Sequence, residues 1–174
     1  GIEDDNELIR TKIKEIIGEL EDSKKNLYTD NCILNSVLNI KYSAAQVADI
    51  KIESNIFVPK YMNIDYGDMG VLFGNLLDNA IEANQGVDRK KRWINVSVKY
   101  EEHILIINIK NSKIRGSRRK KKGYLNHGIG LNSVKQIVEK FNGIVEVQDF
   151  GEMYEVSAIL YGICDDKDLG KSVL

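Results

Sequence analysis

Proline is almost absent from this 174-residue chain, with Pro59 standing alone, and Trp93 is the single tryptophan. Cysteine and histidine occur twice each. Cys32 and Cys164 are far apart and fall in no metal-ligand spacing. That excludes a disulfide framework and a zinc ribbon, and makes a reducing compartment the default. No window approaches the roughly eighteen consecutive apolar residues of a membrane span. The opening GIEDDNELIR is acidic and polar, without the basic-then-apolar layout of a secretory signal. What is present is a 43% apolar and 29% charged composition. It supports a real core and excludes a disordered or collagen-like polymer. The length fits one compact domain with a helical appendage.

The formal charge of −1 hides an asymmetry. Residues 111–127, NSKIRGSRRKKKGYLNH, hold seven basic residues (Lys113, Arg115, Arg118, Arg119, Lys120, Lys121, Lys122) and no acid. Taking those seven away leaves −8 on the rest of the chain. A basic loop on an acidic body suits a localised anionic partner, and a merely solvated loop fits equally well. A nucleic-acid strand would want aromatics interleaved with the cations, and only Tyr124 is near, so no nucleic-acid partner is expected.

Hydrophobic periodicity divides the chain. Ile9, Ile13, Ile16 and Leu20 form an apolar seam over residues 6–25, suited to a helix interface or to docking on the chain's own domain. A second helix is expected over 29–48, with Ile33, Leu34, Val37, Leu38, Tyr42, Ala45 and Val47 as its apolar face and Thr29 or Asp30 as its cap. Lys51–Val58 reads as a strand stopped by Pro59, and residues 66–85 as a helix. Trp93–Tyr100 and His103–Lys110 alternate as a hairpin turning at Glu101-Glu102. Leu131–Phe141 reads as a helix stopped at Asn142-Gly143. Ile144–Asp149 and Met153–Tyr161 then form a hairpin, and the tail after Gly162 should fray. The expected fold class is α+β, an α/β sandwich with helices on one face of a mixed, mostly antiparallel sheet.

Two constellations carry chemistry. In FGNLLDNAIEAN, residues 73–84, helical spacing puts Asn75, Asp78, Asn79 and Glu82 on one face. Asparagine is a poor choice for a merely solvated helix interior. Such oxygen donors suit a hydrated magnesium ion bridging to phosphate. In NHGIGLNSV, residues 126–134, Gly128 and Gly130 open a helix, where free N–H groups meet an anion. The spacing matches neither the dinucleotide fingerprint nor the P-loop.

Together, an N-L-L-x-N-A helix, then a basic loop and H-G-I-G-L-x-x-V, resemble the GHKL ATPase superfamily. Within it the chain is similar to the catalytic domain of sensor histidine kinases. The wording Ile33-Leu34-Asn35-Ser36-Val37-Leu38-Asn39-Ile40-Lys41 is similar to their peptide-pheromone (quorum-sensing) subgroup. The resemblance implies a Bergerat-type ATP-binding fold and, as cofactors, ATP and Mg2+. It implies that Asn79 is the magnesium ligand and Asn75 a phosphate-side partner. His127, Gly128, Gly130 and Leu131 match the second glycine box. Residues 112–126 match the mobile lid, where Lys122 is the first choice for a phosphate contact.

Asn111 stands where the superfamily has its adenine-binding aspartate, and Lys113 replaces the first glycine. An asparagine accepts from adenine without the strength of a charge, and its amide can also turn to donate. The resemblance also divides the chain into a partial dimerisation helix (1–28), an ATP-binding domain (29–162) and a flexible tail (163–174). Neither His103 nor His127 sits where a phosphorylated helix would be, so the acceptor histidine is expected outside this chain. The implied activity is γ-phosphoryl transfer to that histidine, with a response regulator as partner and a homodimer through the first helix. The expected place is the cytoplasmic side of a membrane-anchored sensor. The alternative is a non-catalytic, ATP-gated dimeric switch.

Overall fold

The computed structural model describes residues 26–116 and 127–164. The seam over 6–25, Lys122 with the rest of the loop 117–126, and the tail from 165 onward lie outside the described residues.

Helix α1 spans Cys32–Val47. Its cap is Asn31 rather than Thr29 or Asp30: the Asn31 side-chain oxygen accepts from the Leu34 N–H at 3.0 Å. The Asn31 amide also donates to the Lys60 carbonyl at 3.0 Å, and Thr29 Oγ1 accepts from the Asn31 N–H at 3.2 Å. A long-range anchor thus chose among three adjacent polar residues that all suit a cap. Leu34, Leu38, Tyr42 and Ala45 form the buried stripe, whereas Val47, expected on it, is 88% exposed. The Tyr42 ring meets Tyr28 edge-on at 4.7 Å. Burial pushes its phenol up to about 12, an effect partly offset by the neighbouring Ser54 hydroxyl.

Strand β1 (Lys51–Phe57) leads to α2 (Tyr66–Ala83), whose cap Asp65 accepts from the Gly67 N–H at 2.8 Å. A 3-10 turn (Arg89–Lys91) precedes β2 (Trp93–Glu101) and β3 (Ile104–Ser112). The hairpin between them turns at Glu102-His103, one residue beyond the expected Glu101-Glu102. Both turn residues have positive φ, 47° and 65°, the conformation that matches a two-residue turn to the twist of its strands. His103 therefore belongs to the turn and not to the strand. Helix α3 (His127–Lys140) starts four residues before the expected Leu131, so the glycine pair lies in its first turn and opens it, as the motif implied. It ends where expected: Asn142 is left-handed at φ 51°, and the Gly143 N–H donates to the Val138 carbonyl at 2.9 Å. Strands β4 (Ile144–Asp149) and β5 (Met153–Tyr161) close the fold with the expected bounds.

The sheet order is β1-β2-β3-β5-β4, with β1–β2 parallel and the other pairs antiparallel. Register aligns Ile94, Val96 and Val98 with Asn111, Ile109 and Ile107, and these with Tyr154, Val156 and Ala158. That row faces the helices and carries the core, with Leu72, Phe73, Leu76 and Leu77 of α2 and Val134, Ile137 and Val138 of α3. The alternate row is polar, as in Asn108, whose amide donates to Ser157 Oγ at 2.8 Å. The folded body runs past Gly162 into the segment expected to fray. Ile163 is fully buried, its N–H donates to the His103 carbonyl at 2.9 Å, and the Cys164 N–H donates to Asn63 Oδ1 at 2.8 Å.

Candidate functional site

Asn75 and Asn79 lie one turn apart on α2, both half-buried. The leucines between them, Leu76 and Leu77, are 2% and 1% exposed, so core packing fixes the rotation of the helix about its axis. Across from Asn75 runs the first turn of α3. A Cβ built on Gly130 would stand 3.5 Å from Asn75 Oδ1 and 3.6 Å from its Cγ. The structure therefore brings the asparagine helix and the glycine turn, more than fifty residues apart in sequence, to van der Waals distance. His127 and Gly128 open that turn, whose first backbone N–H groups a helix cannot satisfy within itself, and Gly130 closes it against Asn75. Leu131, next along, is half-buried and packs against the core.

The other two polar residues of the asparagine helix behave differently. Asp78 turns to α1, where Lys41 Nζ reaches both carboxylate oxygens at 2.7 Å. It is held as an ion pair and not presented beside Asn79. Glu82 is exposed. The donor set is thus amide oxygen and backbone N–H rather than a carboxylate cage. Such a set fits a hydrated magnesium ion that takes one protein oxygen and bridges to phosphates, with Asn79 the residue that would hold it.

Asn111 ends the helix-facing row of β3 and is 2% exposed. Its amide nitrogen donates to the Ser112 carbonyl at 3.0 Å, and among the described residues its side-chain oxygen accepts no hydrogen bond. Position and free acceptor both fit an adenine amino group. Beside it lies a buried polar latch that the sequence reading passed over. Ser112 Oγ donates to Asn84 Oδ1 at 2.5 Å and accepts from the Trp93 N–H at 3.0 Å. The Asn84 amide donates to the Ala80 and Trp93 carbonyls at 2.9 and 3.3 Å. This latch ties the end of α2 to the ends of β2 and β3, fixing Asn79 relative to Asn111. The one available signal was the third asparagine, Asn84, closing the constellation at residues 73–84.

Of the basic residues after β3, Lys113 is already committed. Its ammonium donates to Asp149, and this bond, with the Gly151 N–H at 2.9 Å, holds the Asp149 carboxyl below its ordinary value. Lys113 is only 11% exposed at its side chain and is removed from the list of phosphate contacts.

Comparisons with known proteins bear on the family and the fold. The chain is 32% identical over 95 residues to a probable C4-dicarboxylate sensor kinase of Bacillus subtilis (strain 168), an overlap covering 49% of this chain and 18% of that protein. It thus spans under a fifth of that relative's length. Its fold matches the catalytic domain of histidine kinase ThkA with TM-score 0.59 at 15% identity, over 76% of this chain and 91% of that one. It also matches Acinetobacter baumannii histidine kinase AdeS with TM-score 0.55 at 14% identity, over 89% and 84%. At such identities these two establish the fold alone: an α+β domain with the architecture of histidine-kinase catalytic domains. The profile of the GHKL domain matches residues 64–160, from before α2 to the end of β5 and so across both halves of the site. With more than half its length inside that match, the chain belongs to the GHKL domain family.

Proposed function

We propose that this chain is the Mg-ATP-binding catalytic domain of a two-component sensor histidine kinase, closest in kind to the peptide-pheromone (quorum-sensing) sensors. The observation that carries the reading is the seating of Gly130 against Asn75, which joins a metal-side amide helix to an anion-binding helix start. With ATP bound, the start of α3 receives phosphate oxygens, His127 and Gly128 through their N–H groups and Gly130 by letting the ligand come close to the backbone. Asn75 lines the same space, and Asn79 offers its oxygen to magnesium. Magnesium, when bound, neutralises the phosphate charge that builds up during transfer. Asn111 meets the base, accepting from adenine, and Lys122 closes on the phosphates from the lid.

The chemistry is positioning and charge neutralisation, with no covalent protein nucleophile. An imidazole nitrogen of the acceptor histidine attacks the γ-phosphorus in line. The N–P bond forms as the bond to the ADP β-phosphate oxygen breaks, and the imidazole proton passes to solvent. Neither histidine of this chain suits that role. His103 sits in the β2–β3 turn with Nδ1 3.3 Å from the Ile163 carbonyl, and His127 belongs to the phosphate turn. In this reading the acceptor is a histidine supplied by another segment, and the protein works as a homodimer. A response regulator receives the phosphoryl group, on the cytoplasmic side of a membrane-anchored sensor.

The test is calorimetric titration of ADP with and without magnesium on the parent and on Asn79→Ala, followed by radiolabelled ATP on a longer chain bearing a histidine helix upstream. The expected result is loss of the magnesium-dependent affinity in Asn79→Ala, and acid-labile, base-stable label on the longer chain only. Equal affinity of variant and parent would overturn the site. Nucleotide binding without label on the longer chain would favour the ATP-gated switch instead.

A further inference from the structure

At the end of the sheet, beyond the nucleotide cleft, lies a second cavity of about 600 Å3. This is within the ordinary range of small-molecule pockets. It is built from three segments: the Gly86–Asp88 turn with Lys91 after α2, the Ser112–Arg115 segment after β3, and Glu152-Met153 at the β4–β5 turn, with Trp93 between them. None of Asn75, Asn79, Asn111 or Gly130 lines it. Register explains the separation. Trp93, Ser112 and Met153 alternate with Ile94, Asn111 and Tyr154, so they lie outside the core row that ends in Asn111, at the end of the sheet beside the turn after α2.

We propose that this cavity is a binding site for a small organic anion with a flat apolar body, such as an aromatic carboxylate. Trp93, Met153, Val87 and Ile114 supply an apolar, polarisable lining. Lys91, Lys113 and Arg115 set three cations around it against the two acids Asp88 and Glu152. Their duties differ. Lys113 is bound to Asp149, and Asp88 is occupied in capping the 3-10 turn through the Lys90 N–H at 2.9 Å. Lys91 and Arg115 are exposed and form no ion pair among the described residues, so they are the cations available to a carboxylate. Arginine receives such a group bidentately. The site also touches the machinery of the cleft. Ser112, in its wall, is hydrogen-bonded to Asn84 at the end of α2, and Ile114 packs on Gly86, whose added Cβ would come within 2.8 Å of Ile114 Cδ1. A ligand there would hold the root of the segment that leads into the basic loop.

The uniqueness of Trp93 gives a direct readout, because all tryptophan emission arises in this cavity wall. The experiment titrates 2-naphthoate into the whole chain, following Trp93 fluorescence with calorimetry alongside, and uses naphthalene-2-methanol as the uncharged control. The expected result is saturable naphthoate binding, weakened about tenfold in Arg115→Gln, the scale of one hydrogen bond to a charged group. Asn79→Ala should leave that affinity unchanged, and saturating Mg-ADP should not displace the naphthoate. Circular dichroism on Arg115→Gln confirms that the fold is intact. Displacement by Mg-ADP would show that the cavity is only an annex of the nucleotide cleft. Equal affinity for the uncharged control, or no saturable binding by either method, would equally overturn the proposal.

Discussion

Replacing Gly130 by alanine separates what the fold requires at this turn from what the ligand requires. The added methyl would lie 3.5 Å from Asn75 Oδ1, 3.6 Å from Cγ and 3.8 Å from Cβ, ordinary contact distances with nothing to displace. Gly130 lies within α3, where glycine is worse than alanine by about 0.5–1 kcal/mol because it loses more backbone freedom on folding. The variant should therefore be more stable by that amount, a rise of about 1–4 °C in Tm for a chain of this size. Nucleotide affinity should move the other way. The methyl occupies the narrow space between Asn75 and the helix start, where, on the proposed function, phosphate oxygens approach the backbone. A loss of about tenfold in Mg-ADP affinity is expected, or about 1.4 kcal/mol. Thermal denaturation followed by circular dichroism gives the first quantity and calorimetry the second. A lower Tm would mean that the turn has no slack against Asn75. Unchanged affinity at higher Tm would mean that phosphate does not lie on this turn.

Gly143→Ala offers the contrast: its Cβ would fall 2.1 Å from the Ile159 carbonyl oxygen and 2.6 Å from Val138 Cγ1, so urea denaturation should show a loss of about 3 kcal/mol or more. Asp78→Asn should cost under about 1 kcal/mol, as a partly exposed ion pair with Lys41 does, and should leave magnesium-dependent ADP affinity unchanged. A fall matching that of Asn79→Ala would place Asp78 at the metal after all. Asn111→Asp should widen the ATP-over-GTP preference by on the order of 1 kcal/mol. It should also lower ligand-free stability by roughly 1–3 kcal/mol, because a buried carboxylate replaces the amide that donates to the Ser112 carbonyl. Competition binding and thermal melts read the two effects, and a narrowed preference would remove Asn111 from the base.

Local chemistry was legible to within a residue or two wherever one segment decides its own form. The β4–β5 hairpin and the Asn142-Gly143 stop follow from alternation and from a left-handed residue after a helix. Partners distant in sequence were not legible. Asn31 won the α1 cap because Lys60 offers its carbonyl. Asp78 left its helix-face companions for Lys41, and Lys113 left the lid's cations for Asp149. Helical spacing placed Asn75 and Asn79 together, yet only the fold sets Gly130 against Asn75. The α3 start was read four residues late because glycines lower the expectation of helix. The Asn84–Ser112 latch joins two residues that no periodicity relates.

Two of the four strand pairings are local in sequence and two are not. Strands β2 and β3 meet across a two-residue turn, and β4 and β5 across an equally local one. By contrast, Lys51 of β1 reaches Trp93 only after the whole of α2 has been laid down between them, and Ser112 of β3 reaches Met153 only after the whole of α3. Loop closure makes such a contact slow to form. As one of the two edge strands, β1 also has, among the described residues, a ladder on one side only. Its amides should therefore exchange with solvent well before those of β3, which is bonded on both sides. Strand β1 would leave the sheet first, while Asn111, on the doubly bonded β3, would keep its ladder longest.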